Sequence, residues 1–176
     1  MPKVDTDKGQ PRAEPPSAPH SASAATAATA VSIAIAGSGT VLAFDFGEKR
    51  IGVAVGETQL ALAHPLTTIA SEQTQARFEA IARLVAEWQP RLLVVGLPLH
   101  MDDTEHALTA RARRFARQLE GRFNLPVALV DERLSTYAAT EMLHAAGVAA
   151  RRQKPVRDQV AAQTILQAYF DQHAAH

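Results

Sequence analysis

The 176-residue chain contains no cysteine. That absence excludes a disulfide framework and thiolate metal sites, and it suits a reducing compartment. No run of about 18 apolar residues occurs, so a membrane-spanning helix is not expected. Aromatic residues make up only 5% of the chain and do not interleave with its basic clusters, which argues against sequence-specific readout by base stacking. Formal net charge is zero, which gives no overall pull toward a polyanion. The first 23 residues mix Lys3, Lys8 and Arg12 with Asp5, Asp7 and Glu14. The stretch that follows is Ala-rich rather than Leu-rich, a poor fit to a secretory signal. The default expectation is a soluble cytoplasmic protein without a membrane partner.

The charge that is present is unevenly placed. Residues 40–110 hold five basic and nine acidic groups, whereas residues 111–176 hold ten and six. Separate acidic and basic regions can set a bound cation next to a polyanion, although solvated helix faces explain charge alone equally well.

Composition divides the chain. Residues 1–39 are rich in Pro, Ala, Ser and Thr, with one short apolar stretch, VSIAIAG. Such a segment buries too little surface to offset its ordering entropy, so 1–39 is expected to be a disordered tail. The folded domain is expected over 40–171, leaving 172–176 as a disordered C-terminus. Within the domain, TVLAFDF and RIGVAVG flank Gly47, Glu48 and Lys49 and predict a β-hairpin. A third strand is expected near residues 66–69. Phe78, Ile81, Val85 and Trp88 recur at helical spacing over 72–88, and Pro90 ends that helix. RLLVVG has the continuous apolar character of a buried parallel strand. A second helix is expected over 104–122, capped by Thr104, with Arg113, Arg114 and Arg117 on its solvent side. VALVDE predicts a fifth strand, followed by helices over 135–146 and 156–170, the first capped by Ser135 or Thr136. The order βββ-α-β-α-β-α-α gives an α/β fold: a mixed five-stranded sheet whose first three strands form an antiparallel meander, with helices on both faces. This is the order of ribonuclease H-like domains.

Three carboxylates break their local patterns. Asp45 interrupts an apolar strand. Glu132, beside Asp131, lies at the C-terminal end of a parallel strand, where ligands of such sheets bind. Asp158 shares a helix face with Ala161, Ala162 and Ile165, so it faces inward. Each acid singly has an ordinary structural explanation, such as bonding loop amides or favouring a helix N-terminus. Gathered together, three acids repel one another and are desolvated, unless a divalent cation compensates them. Mg²⁺ or Mn²⁺ takes oxygen ligands, leaves positions for water and phosphate oxygens, and supports in-line phosphodiester cleavage. Basic residues flank all three: Lys49 and Arg50 in the hairpin, Arg133 after Glu132, and Arg152, Lys154 and Arg157 before Asp158. They are candidate contacts for a nucleic-acid backbone. Gly96, Pro98, His100 and Thr104 belong to GLPLHMDDTE, a candidate substrate loop at the same sheet end. His64, His106 and His144 lack metal-ligand spacing. The DFG triplet lacks the other kinase motifs.

With these residues assembled, DFGEKRIGVAVG, GLPLHMDDTE, LTARARRFA, DERLSTYAA and KPVRDQVAAQTIL resemble, in order, the motifs of the YqgF (RuvX) family. That family is described as pre-16S rRNA nucleases and as Holliday-junction-resolvase-like proteins of ribonuclease H-like fold. The resemblance covers about residues 40–170. It implies a Mg²⁺- or Mn²⁺-dependent nuclease that trims the 5′ end of pre-16S rRNA during ribosome biogenesis, as a monomer or homodimer. Asp45, Glu132 and Asp158 fall on the family's acidic positions, and the pattern favours Glu132 over Asp131. His100 and Asp103 depart from it, where Asn and Gly are usual. The alternatives are a resolvase acting on branched DNA, which needs a dimer for paired cuts, and a non-catalytic RNA- or ribosome-binding factor. A sugar-kinase-like ATPase shares the Asp-bearing hairpin but needs a second lobe that about 135 folded residues do not supply.

Overall fold

A computed structural model of the chain describes residues 38–98, 107–132 and 153–173. The expected 1–37 part of the tail, the helix over 135–146 and its caps, and His100, Thr104, Arg133 and Arg152 lie outside the described residues, as does the side chain of Lys154.

The hairpin expected from its Val- and Ile-rich arms is β1 (Thr40–Phe46) and β2 (Arg50–Glu57), paired antiparallel with Asp45 opposite Gly52. β3 (Leu62–Ala70) is longer than the expected 66–69 because it follows β2 for its whole length, past a register shift at Val53 and Ala54. Pro65 is tolerated there because β3 is an edge strand. α1 (Thr74–Trp88) starts two residues later than expected: Gln73 takes an extended conformation. It ends with Gln89 in the left-handed region at φ 43°, its N–H donating to Val85 O at 2.9 Å, just before Pro90. Then follow β4 (Leu92–Leu97), α2 (Ala107–Phe123), β5 (Val127–Asp131) and α3 (Gln153–His173). α3 is longer at both ends than the expected 156–170 and passes the expected domain end at residue 171. The sheet order is β3-β2-β1-β4-β5, with β1, β4 and β5 mutually parallel and the first three strands an antiparallel meander. This is the mixed five-stranded arrangement expected from the element order.

Strand alternation sorts the two faces. Leu42, Phe44, Ile51, Val53, Leu93 and Val95 pack against Phe78 and Ile81 of α1 and Phe115 and Leu119 of α2. Val41, Ala43, Ala54, Val94 and Val130 pack against Ala162, Ile165, Leu166, Tyr169 and Phe170 of α3. These five α3 positions repeat at helical spacing as one buried stripe, and Asp158 lies one turn further toward the N-terminus on the same stripe.

The α3 side of β2 is built for close approach. A Cβ on Gly52 would overlap the backbone carbonyl of Asp158, and one on Gly56 would stand 2.6 Å from a ring carbon of Phe170. α3 is further tied to the start of β3: Gln167 accepts from Ala63 N at 3.2 Å and donates to Ala61 O at 3.0 Å, while Gln163 donates to Ala63 O at 2.9 Å. These bonds satisfy edge-strand backbone groups that would otherwise invite pairing with another chain. Gly52→Ala is therefore expected to destabilise the protein by about 1–3 kcal/mol, the usual cost of overpacking. Urea unfolding tests this, and an unchanged midpoint would contradict it.

Candidate active site

Asp45 is the penultimate residue of β1. Alternation from Val41 and Ala43 carries it to the α3 face, with Gly52 directly across the ladder. Because Gly52 touches the Asp158 backbone, this single pairing brings Asp45 and Asp158 to the same place. Glu132 arrives from the other side. In β5, Ala128 and Val130 face α3 and Val127 faces the opposite cluster. Asp131, the last residue of β5, alternates with Val127, and Glu132 just beyond it comes to the α3 side, where it meets Gly96 beside Ile165. Room for it comes from Gly96, whose Cβ would stand 2.5 Å from Glu132 Oε1. Gly96 lies within β4, in keeping with the expected RLLVVG strand, and not in the candidate substrate loop that the sequence also suggests for it.

The electrostatics follow this geometry. Burial, then the negative charge of Asp158, pushes the Asp45 carboxyl up to about 6, against the opposing pull of Arg157. Burial, then Asp45, then Asp131, pushes Glu132 up to about 7. Asp45 is therefore the central member, sensed by one acid and sensing the other. Asp158 Oδ2 is buried without a hydrogen-bond partner, although Arg50 Nε lies 2.8 Å away. The contact is a charge pairing without hydrogen-bond alignment. Among the described residues, no three His, Asp or Glu side chains are already gathered closely enough to hold a metal ion. The trio shares one face, but Asp158 leans on Arg50.

The remaining sequence candidates separate. Lys49 is 81% exposed, with Glu72 at 3.9 Å. Arg157 is exposed and acts on Asp45. Arg50 is half-buried against Asp158 rather than extended into solvent. Pro98 accepts a hydrogen bond from Thr109 Oγ1, tying the end of β4 to α2.

One important residue escaped the sequence reading. Arg77 is only 8% exposed and donates to Gly47 O at 2.9 Å and to Glu48 O, gripping the turn that joins β1 to β2. Its guanidinium also lies 5.7 Å from the Phe46 ring centroid. Arg111 of α2 pairs with Glu48, so both helices of the opposite face hold the turn. Arg77 precedes the apolar stripe of α1 by one residue, and nothing in that spacing marks it.

The family profile described as "RuvX: Holliday junction resolvase" matches residues 39–172. A protein of Nitrosomonas europaea named "Putative pre-16S rRNA nuclease" is 61% identical over 141 residues, covering 80% of this chain and 95% of its own length. One of the same name from Chromobacterium violaceum is 61% identical over 132 residues, covering 74% and 96%. Among solved structures, T. thermophilus RuvC in complex with a Holliday junction substrate aligns with TM-score 0.50 at 16% identity, over 77% of this chain and 96% of that one. At that identity the likeness speaks to the fold alone. Among the described residues no helix is long and apolar enough to cross a membrane.

The raised acids make a stability prediction. A carboxyl whose folded pKa exceeds its unfolded value keeps its proton longer when folded, so stability falls as pH rises from the unfolded value through the folded one. With a chelator present, unfolding free energy is expected to drop between about pH 4 and pH 7, by several kcal/mol, roughly 3 for each of the two carboxyls. Asp45→Asn should flatten that slope. Urea unfolding across this range checks both, and stability that rises with pH would contradict the assignment.

Proposed function

The chain belongs to the RuvX family, and from that premise we propose that it is a divalent-metal-dependent nuclease that processes the 5′ end of pre-16S rRNA. The observation that carries this reading is the trio on one sheet face: Asp45 beside Asp158 through Gly52, and Glu132 admitted by Gly96. Relatives at 61% identity bearing the rRNA nuclease name support the substrate.

The donor set fits a hard cation. All three groups offer oxygen, two resist ionisation because of burial and like charge, and Asp158 Oδ2 is buried with no hydrogen bond. These are features that Mg²⁺ or Mn²⁺ relieves. Asp45, Glu132 and Asp158 would hold it. When bound, such an ion supplies Lewis-acid stabilisation of the charge that develops at a scissile phosphodiester. The chain's own part is to bring these acids together on the α3 face of the sheet and to set Arg157 near Asp45, where it meets a backbone phosphate without reading bases. Exposed Lys49 of the hairpin is a further candidate contact. Arg133, Arg152, Lys154, His100 and Thr104 stay candidates on the sequence alone, being outside the described residues or side chains, and Pro98 directly follows β4. A cytoplasmic location follows from the rRNA substrate.

A second reading, cleavage of four-way DNA junctions, is favoured by the family's own description. It requires two such sites and hence a homodimer. Both readings are tested by incubating purified protein with a 5′-extended 16S rRNA fragment and with a four-way DNA junction, each with Mg²⁺ or Mn²⁺. We expect cleavage of the RNA, and Asp45→Asn is expected to remain folded and lose activity by at least about a hundredfold. Undiminished cleavage by the variant would sink the assignment. Cleavage of the junction alone would favour the resolvase. RNA binding without turnover under either metal would point to a non-catalytic ribosome-binding factor.

A further inference from the structure

Arg50 opens β2 and alternates onto the same face as Gly52, which takes its side chain to the first turns of α3. There its Nε stands 2.8 Å from Asp158 Oδ2, with the two side chains only 33% and 17% exposed. A pair this sheltered is less weakened by solvent than a surface ion pair. The contact nevertheless lacks hydrogen-bond alignment, since Oδ2 has no hydrogen-bond partner. Arg50 therefore neutralises Asp158 without saturating it. A guanidinium held against this carboxylate repels a divalent cation brought to the same group, so the two compete for Asp158. The positive charge that acts on Asp45 is that of Arg157, from the other side of the cluster.

We propose that Arg50 is a resident stand-in cation on Asp158, which a divalent ion must displace to complete the carboxylate site, freeing the guanidinium for a substrate phosphate. This rests on the nuclease reading and adds a coupling to it. A phosphate accepts a guanidinium fork with two parallel hydrogen bonds, a better match than the misaligned contact with Asp158. Substrate and cation therefore favour the same released position of Arg50. Each tightens the binding of the other by the same factor, as linkage requires. Arg50 is a positioning residue in this scheme: it withholds Asp158 until a cation arrives.

The test is calorimetric titration of Mn²⁺ into the full chain and its variants, a readout independent of cleavage. Arg50→Gln is expected to bind Mn²⁺ about tenfold more tightly than the unaltered protein, within the usual span of coupling factors, and to unfold at lower temperature in chelator. Arg157→Gln removes a charge of the same sign that acts on Asp45, and should change the affinity less. In an Asp158→Asn background, Arg50→Gln should have no further effect. Equal or weaker Mn²⁺ affinity in folded Arg50→Gln overturns the stand-in role. If that variant does not fold, Arg50→Lys decides instead: tighter binding than the unaltered protein supports the role, and equal binding overturns it. Absence of Mn²⁺ binding by every form, the unaltered chain included, overturns the cation site itself.

Discussion

The carboxylate edge of this protein is organised by one unfavourable interaction, the crowding of Asp158 and Glu132 around Asp45 in a half-buried space. Burial and like charge act in the same direction on Asp45 and Glu132. Each acid left without compensation costs stability that a domain of this size can spare only in small amounts. On the proposed nuclease reading, keeping such a cluster trades stability for cation binding. Arg50 offsets one of the three charges and Arg157 weakens the penalty on another.

That crowding also explains the asymmetry of the sheet. The face covered by α1 and α2 is filled with Leu, Ile, Val and Phe, including Phe44 and Phe46 packed around Phe115. The α3 face carries Ala43, Gly52, Ala54, Gly56 and Gly96 at matching positions. Small residues there let α3 lie close enough for Asp158 to come beside Asp45, and they leave space for Glu132. Both faces carry a hydrophobic core, and the α3 face carries the acidic cluster as well. The Arg77 grip on the β1–β2 turn links them, holding the hairpin that presents both Asp45 and Arg50.

Much of this was legible in the sequence because it rests on periodicity. The hairpin arms, the continuous apolar run of β4 and the α3 stripe each announce their element and their buried side. Asp45 and Asp158 were visible as acids on apolar faces for the same reason. What escaped depends on contacts between distant segments. Alternation stops at the end of β5, so choosing Glu132 over Asp131 needed the register of β5 against β4 and the opening at Gly96. Gly96 read as a loop shaper because Pro98 and His100 follow it closely, whereas its neighbours in space are Ile165 and Glu132. Arg50 read as a phosphate contact because its pairing with Asp158 spans more than a hundred residues. Arg77 binds only backbone carbonyls, which carry no signature in the side-chain pattern.

The central claim is that Asp45, Glu132 and Asp158 together hold a divalent cation. Anomalous diffraction from crystals equilibrated with Mn²⁺ tests it most directly. The account predicts a manganese peak within about 2–2.5 Å of oxygens from all three side chains, with the Arg50 guanidinium moved off Asp158. A peak bound elsewhere, or none at a concentration that supports cleavage, would contradict it.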